Sequence, residues 1–201
     1  MSKSKLTGRK ATLRIVTLAV LIALEVVLNR FLSVNTQALK IGVAFLPVAL
    51  AGWLYGIPGG MLVGGLADLA GALLFPIGPP NPGITAVAAL SGAVYGFFLH
   101  PKRGFTARPV KEGGFFGNLL RTVGAVLIKQ GICSQLLNTL FIWMIYGGAQ
   151  KTFGYFFLSR LLTQTVFMVP VEIVLILLLL PALKPIRHLA AGDAYVTDQN
   201  K

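Results

Sequence analysis

Six long apolar segments run through this chain, at about 12–33, 40–57, 59–76, 84–100, 118–147 and 156–183. A helix needs roughly 20 mostly apolar residues to cross a bilayer, with a range of about 17–25. In lipid every backbone donor and acceptor must be satisfied within the protein, so only helices and closed barrels cross. A barrel would read as short stretches of alternating residues, and these runs are continuous. The composition agrees: 55% of residues are hydrophobic and 12% charged, where a soluble domain carries roughly 25% charged residues. The sequence predicts an all-α integral membrane protein with six transmembrane helices.

The formal charge of +12 points first to nucleic acid, but the basic residues gather at the ends of the apolar segments and not on one polar face. With the N-terminus inside, the cytoplasmic flanks hold thirteen Lys and Arg, among them Lys3, Lys5, Arg9, Lys10, Arg14, Lys102, Arg103 and Arg121. The outer flanks hold four: Arg30, Lys40, Lys151 and Arg160. This bias places both termini in the cytoplasm. No small-residue cleavage site follows the basic start, which reads as a retained first span. The expected organisation is a basic cytoplasmic N-terminus at 1–11, one six-helix domain at 12–188 and a polar tail at 189–201.

Ionisable groups inside a membrane protein usually face its interior or a cavity. Here they are Glu25, Asp68, Lys129 and Glu172, with Arg30 and Arg160 at outer ends. Asp68 lies about eight residues, roughly 12 Å, below the outer end of its span. That depth suits the floor of a pocket open to the outside. Asn138 and Gln135 on the fifth span and Gln164 on the sixth share this outer half, which argues for an outward-facing site. A second reading pairs Asp68 with Lys129 or an arginine to hold helices together. Lys129 itself, nearer the cytoplasmic end, reads by default as a snorkelling side chain. Glu25 and Glu172 read as contacts between helices or with a partner, and Asn138 and Gln164 equally suit helix–helix hydrogen bonds.

Small residues recur four apart: Ala19 and Ala23, Gly52 and Gly56, Gly60 and Gly64, Gly92 and Gly96. Such spacing lets backbones approach. Tyr55-Gly56-Ile57-Pro58-Gly59-Gly60 reads as a tight turn between the second and third spans. The uncharged loop Phe75-Pro76-Ile77-Gly78-Pro79-Pro80-Asn81-Pro82-Gly83 is stiff, because proline fixes φ and removes a donor. The loop Leu32-Ser33-Val34-Asn35-Thr36-Gln37 is softer and polar. A stiff rim beside a flexible one suits a gate.

Nucleotide-binding, hydrolase and metal motifs are missing from the sequence. His100 and His188 sit at cytoplasmic helix ends, and the single Cys133 lies in an apolar run. An intramembrane enzyme would need converging carboxylates, and a channel would need polar lining at every depth; both stand as lesser alternatives. No metal and no cofactor are expected.

Three blocks carry a resemblance: Leu28-Asn29-Arg30-Phe31-Leu32-Ser33, the run from Gly42 to Gly52, and Gly65-Leu66-Ala67-Asp68-Leu69-Ala70-Gly71 continuing to Gly78. Leu137-Asn138-Thr139-Leu140, Tyr146-Gly147, Arg160-Leu161 and Met168-Val169-Pro170 extend it. Over about 12–185 the chain resembles the substrate-binding S components of energy-coupling-factor (ECF) transporters, closest to the folate type. The resemblance implies six helices, a high-affinity vitamin site near the outer surface and no chemistry on the substrate. It also implies a transmembrane coupling subunit and two cytoplasmic ATPases in a prokaryotic cell membrane. The family's AxxxA contact for the coupling subunit corresponds here to Ala19-Val20-Leu21-Ile22-Ala23. At one turn after Arg160 the folate-type pattern carries a lysine, and this chain has Thr163-Gln164. A cobalamin-type or other vitamin S component is therefore the second expectation.

On the folate reading, the buried Asp68 carboxylate accepts two donors from a pterin edge. Phe31, Phe75 and Trp143 are candidates to stack on the ring. Arg30 and Arg160 hold the glutamate carboxylates nearer the surface, with Asn138 and Gln164 as polar contacts. The one deep acid and the shallow bases place the pterin inward and the tail outward.

Overall fold

A computed structural model describes residues 3–35, 40–76, 79–100, 115–146 and 152–182. The first helix, α1, spans Lys3–Phe31. Its exposed face includes Ile15, Val20, Leu24 and Val27, whereas Leu21, Glu25, Val26 and Asn29 point into the protein. After it, two short strands, β1 (Val34–Asn35) and β2 (Lys40–Ile41), pair antiparallel with Val34 opposite Ile41. They are the one departure from an all-helical chain among the described residues.

The helix α2 spans Phe45–Leu74 and is interrupted at Gly56, whose φ of 72° and ψ of −159° are not helical. Glycine tolerates this left-handed backbone without a Cβ clash. Pro58 follows in the first turn of the new arm, where its missing donor costs nothing. The two arms fold back on each other, because a Cβ on Gly64 would lie 3.4 Å from Val48. The predicted turn therefore holds, compressed to one residue. The first arm is almost wholly buried, including Phe45, Val48, Ala51 and Trp53. At 1.5 Å per residue it is roughly 16 Å long, short against a hydrocarbon core of about 30 Å.

Next comes α3, Pro82–Leu99, and its start is written locally. Asn81 accepts a 2.7 Å hydrogen bond from Gly83 N, and Pro82 takes the first helical position. This helix lies against both arms of α2 at glycines. A Cβ on Gly60 would collide with the Gly92 carbonyl, one on Gly92 with that of Gly60, and one on Gly52 would sit 2.7 Å from Gly96 N. The four-residue glycine spacing is thus intramolecular packing.

The last two rods change winding midway. The first runs from α4 (Phe115–Ile128) through a π-helical stretch, Lys129–Asn138, to α5 (Thr139–Tyr146). The second runs from α6 (Phe153–Arg160) through a π-helical turn, Leu161–Thr165, to α7 (Val166–Ala182). Gln135 joins the rods by donating to the Phe157 carbonyl at 2.6 Å and accepting from Thr165 Oγ1 at 3.2 Å.

By length and apolarity four helices suit a membrane crossing: Ala11–Phe31, Phe45–Leu74, Pro82–Leu99 and Phe116–Ile145. Val166–Leu179 is a shorter apolar helix. Leu73 and Leu178 are 68% and 70% exposed. Such broad apolar faces suit a hydrocarbon surrounding and not water.

Candidate functional site

One end of the bundle gathers the end of α1, the β1–β2 pair and the start of α2. From there a cavity of about 140 Å³ runs inward between α1, α2, α3, the π-helical stretch and α7. That space is many times what a single water requires. Ser33, Gly42, Ile84 and Ala88 line it, and Tyr95 and Glu172 are its most buried lining residues among these. The mouth is tight: a Cβ on Gly42 would collide with the Ser33 side chain.

Asp68 lines the cavity from the second arm of α2. Its Oδ2 accepts a 2.8 Å hydrogen bond from Thr85 Oγ1 on α3, its only hydrogen bond recorded among the described residues. It is not paired with Lys129. That lysine lies 2.5 Å from Glu172 Oε1, so the alternative partner for Asp68 is occupied elsewhere. Nor does Lys129 reach out of the protein as a snorkelling side chain. It lines the cavity, with its Nζ 5.9 Å from the Phe45 ring centre and 6.0 Å from that of Tyr95.

Glu172 is fully buried. Its Oε1 accepts from Lys129 Nζ and from Gln130 Nε2 at 3.1 Å, and its Oε2 accepts from Tyr95 Oη at 3.1 Å. A buried charge persists only when paired and hydrogen-bonded, and this one ties α3, the π-helical stretch and α7 together. The expectation that Glu172 joins helices is met. Glu25, also lining the cavity, accepts from Asn29 Nδ2 at 3.0 Å.

The other expected site residues lie around this core. Asn138 lines the cavity beside Ser134 and Gln130, on one side of the π-helical stretch. Arg30 lies outside the lining but close to it. A Cβ on Gly71, one turn beyond Asp68, would meet the Arg30 Nε at 2.8 Å. Phe75 and Phe31 form an edge-to-face pair at 5.3 Å near the mouth. Trp143 packs edge-on to Phe153 at 5.9 Å and Arg160 is buried at the end of α6; neither lines the cavity. The side chain of Gln164 lies outside the described residues, as do residues 77 and 78 of the stiff loop and 36–39 of the soft one. Ala19 and Ala23 sit on the exposed face of α1.

Sequence reasoning passed over Phe45, Thr85, Ser91, Tyr95 and Gln130 as site residues. Thr85 and Ser91 are polar positions in an apolar helix, a signal that was available. Phe45 and Tyr95 carry none, since an aromatic residue in an apolar run reads as core.

Sequence comparison supplies what the cavity does not. Residues 13–183 match the family described as ECF transporter, substrate-specific component. The chain belongs to this family. It is a substrate-binding transporter component and not an enzyme. Among curated relatives, the protein named folate transporter FolT from Clostridium novyi (strain NT) is 30% identical over 79% of this chain and 83% of its own length. FolT from Leuconostoc mesenteroides subsp. mesenteroides is 28% identical over 81% of each chain. A solved crystal structure of FolT bound with folic acid is 30% identical, with a TM-score of 0.64 over 80% of this chain and 87% of that one.

Proposed function

We propose that this S component binds folate with the pterin ring at Asp68 and the glutamate tail toward Arg30. The observation that carries the orientation is the charge of the cavity wall. Among the lining residues Glu25, Asp68 and Glu172 are acids and Lys129 is the one base, already paired with Glu172. Such a wall repels a dicarboxylate tail and suits a ring that offers N–H donors. The Asp68 carboxylate, held by Thr85, retains lone pairs for two of them. Arg30, whose guanidinium lies over Gly71 one turn beyond Asp68, takes the tail in this reading. The FolT relatives support folate over the cobalamin alternative. Arg160, Asn138, Gln164, Phe75 and Trp143 remain part of this proposal as outer contacts.

The proposal extends to the membrane and the partners. Six helical segments follow if the two arms of α2 count separately, and their alternation returns both termini to one side. Arg14 lies 5.2 Å from the Tyr55 ring, beside the Gly56 reversal, so the basic start of α1 with Lys3, Lys5, Arg9 and Lys10 lies at the end away from the mouth. By the positive-inside rule that end is cytoplasmic. The setting is a multi-pass protein of a prokaryotic cell membrane, its domain at 12–188 between the flanks 1–11 and 189–201. Ala19 and Ala23 face a transmembrane coupling subunit, and two ATPase subunits supply the energy.

Calorimetric titration of the purified protein with folic acid tests the site. Asp68→Asn is expected to weaken binding by about tenfold or more, the scale of a hydrogen bond to a charged group. Unchanged affinity in Asp68→Asn would remove Asp68 from the pterin site.

A further inference from the structure

Gln135 is buried on the π-helical stretch, yet it does not line the cavity. Its amide grips the second rod on both flanks of that rod's π-helical turn. Nε2 donates to the Phe157 carbonyl ahead of the turn, and Oε1 accepts from Thr165 Oγ1 at its end. Earlier on the same stretch, Lys129 and Gln130 hold Glu172, which lies beyond the turn on α7. Residue numbers rise along one rod as they fall along the other, so the rods run antiparallel and are tied at two levels.

Two such ties select a winding. A π turn closes i→i+5 hydrogen bonds and so holds about one residue more than an α turn. Rewinding one turn as α would shift everything beyond it by about one residue, roughly 100° around the axis. With Lys129 and Gln130 held at one end, Gln135 would then turn away from Phe157 and Thr165. Its hydrogen bonds therefore oppose rewinding of the segment between the ties. Most π winding is a single turn, so a stretch of 10 residues needs support of this kind.

That stretch is also cavity wall: Lys129, Gln130, Ser134 and Asn138 line the cavity from it. Gln130 Oε1 and Asn138 Oδ1 are buried with no hydrogen-bond partner among the described residues. A buried acceptor left unpaired is costly, and these two belong to the wall whose winding the ties fix.

We propose that Gln135 is a positioning residue, whose clamp on the second rod keeps the π-wound wall in the arrangement that aims Gln130, Ser134 and Asn138 into the cavity. It acts without touching the ligand. The role rests on the folate reading only through the probe used to test it. Without the clamp, a fraction of the molecules present a rewound wall, and apparent affinity falls by the fraction that remains competent. The loss falls on association, because a ligand already bound meets an unchanged site.

The test combines two measurements on the full chain: amide deuterium exchange without ligand, and folic acid binding kinetics read by tryptophan fluorescence. Gln135→Met removes both hydrogen bonds at similar volume. It is expected to raise exchange over 129–138 and 161–165 and to leave 82–99, in α3, as in wild type. It should slow association about five- to tenfold with the dissociation rate unchanged. Thr165→Val, which cuts one tie, should fall between, and Thr165→Ser, which keeps the hydroxyl, should match wild type. Wild-type exchange over 129–138 in Gln135→Met overturns the role, as does a rise shared equally by α3, which would mean general loosening. Faster dissociation with unchanged association also overturns it, because Gln135 would then act on the bound state. If Gln135→Met does not fold, the same readouts on Thr165→Val and Thr165→Ser decide, and equal behaviour of the two overturns the clamp. If the wild type does not bind folic acid, the folate reading fails, and ligand-free exchange still decides the clamp.

Discussion

Lys129 Nζ and Glu172 Oε1 lie 2.5 Å apart across 43 residues of sequence, joining the π-helical stretch to α7 at the wall of the cavity. Removing one member of a buried pair leaves the other charge uncompensated, at about 3–5 kcal/mol. Glu172→Ala also strands the Tyr95 hydroxyl and the Gln130 amide. It is expected to lower the thermal unfolding midpoint of the detergent-solubilised protein markedly, and Glu172→Gln to lower it less. Equal midpoints for Glu172→Ala and wild type would show that the network contributes no stability.

Gly60 and Gly92 meet backbone to backbone, with no space for a Cβ on either side. Gly60→Leu is expected to separate α2 from α3 and abolish a monodisperse peak in size-exclusion chromatography. Gly131 meets nothing within 4 Å of a built Cβ. Gly131→Ala is the matched control and should elute as wild type, with a small gain from the better helix former.

Arg30 packs over Gly71, one turn outward of Asp68. If it holds the glutamate tail, Arg30→Gln should weaken folic acid by roughly tenfold or more, as expected for a charge-assisted pair. The primary amide of pteroic acid, which has the ring system and no carboxylate, should bind wild type and Arg30→Gln alike. An equal loss for both ligands would place Arg30 in general packing.

Ala19 and Ala23 lie on the exposed face of α1, away from the cavity. Leucine at both positions should leave folic acid affinity and the melting midpoint unchanged, because nothing inside the protein is touched. The same variant should lose co-purification with a coupling subunit and vitamin uptake in cells. Retained uptake would move the contact elsewhere.

Much was legible along the chain because it depends on neighbours in sequence. Membrane residence follows from apolar runs, which no folding can make polar. The reversal at Gly56 and the start of α3 at Asn81-Pro82 follow from φ requirements and a missing donor, both properties of single residues. The packing of glycines against glycines was legible as spacing, since only small residues allow backbones so close. The presence of Asp68 at a cavity followed from the cost of a lone acid in lipid.

What the tertiary structure decided is which groups face one another. The sequence offered Asp68 as a partner for Lys129, and the structure pairs the lysine with Glu172 instead; the choice depends on the rotation of three helices about their axes. That rotation is set by interlocking side chains far apart in sequence and, around Lys129, by π winding that no local residue announces. The same rotation turns Tyr95 and Phe45 from core residues into cavity wall, and leaves Trp143 and Arg160 off it. The sequence alone determined that this chain lives in a membrane and carries an acid within it. Packing alone decided that the lysine closes on Glu172 and not on Asp68, because a pair forms where helices bring charges within reach and not where composition makes them available.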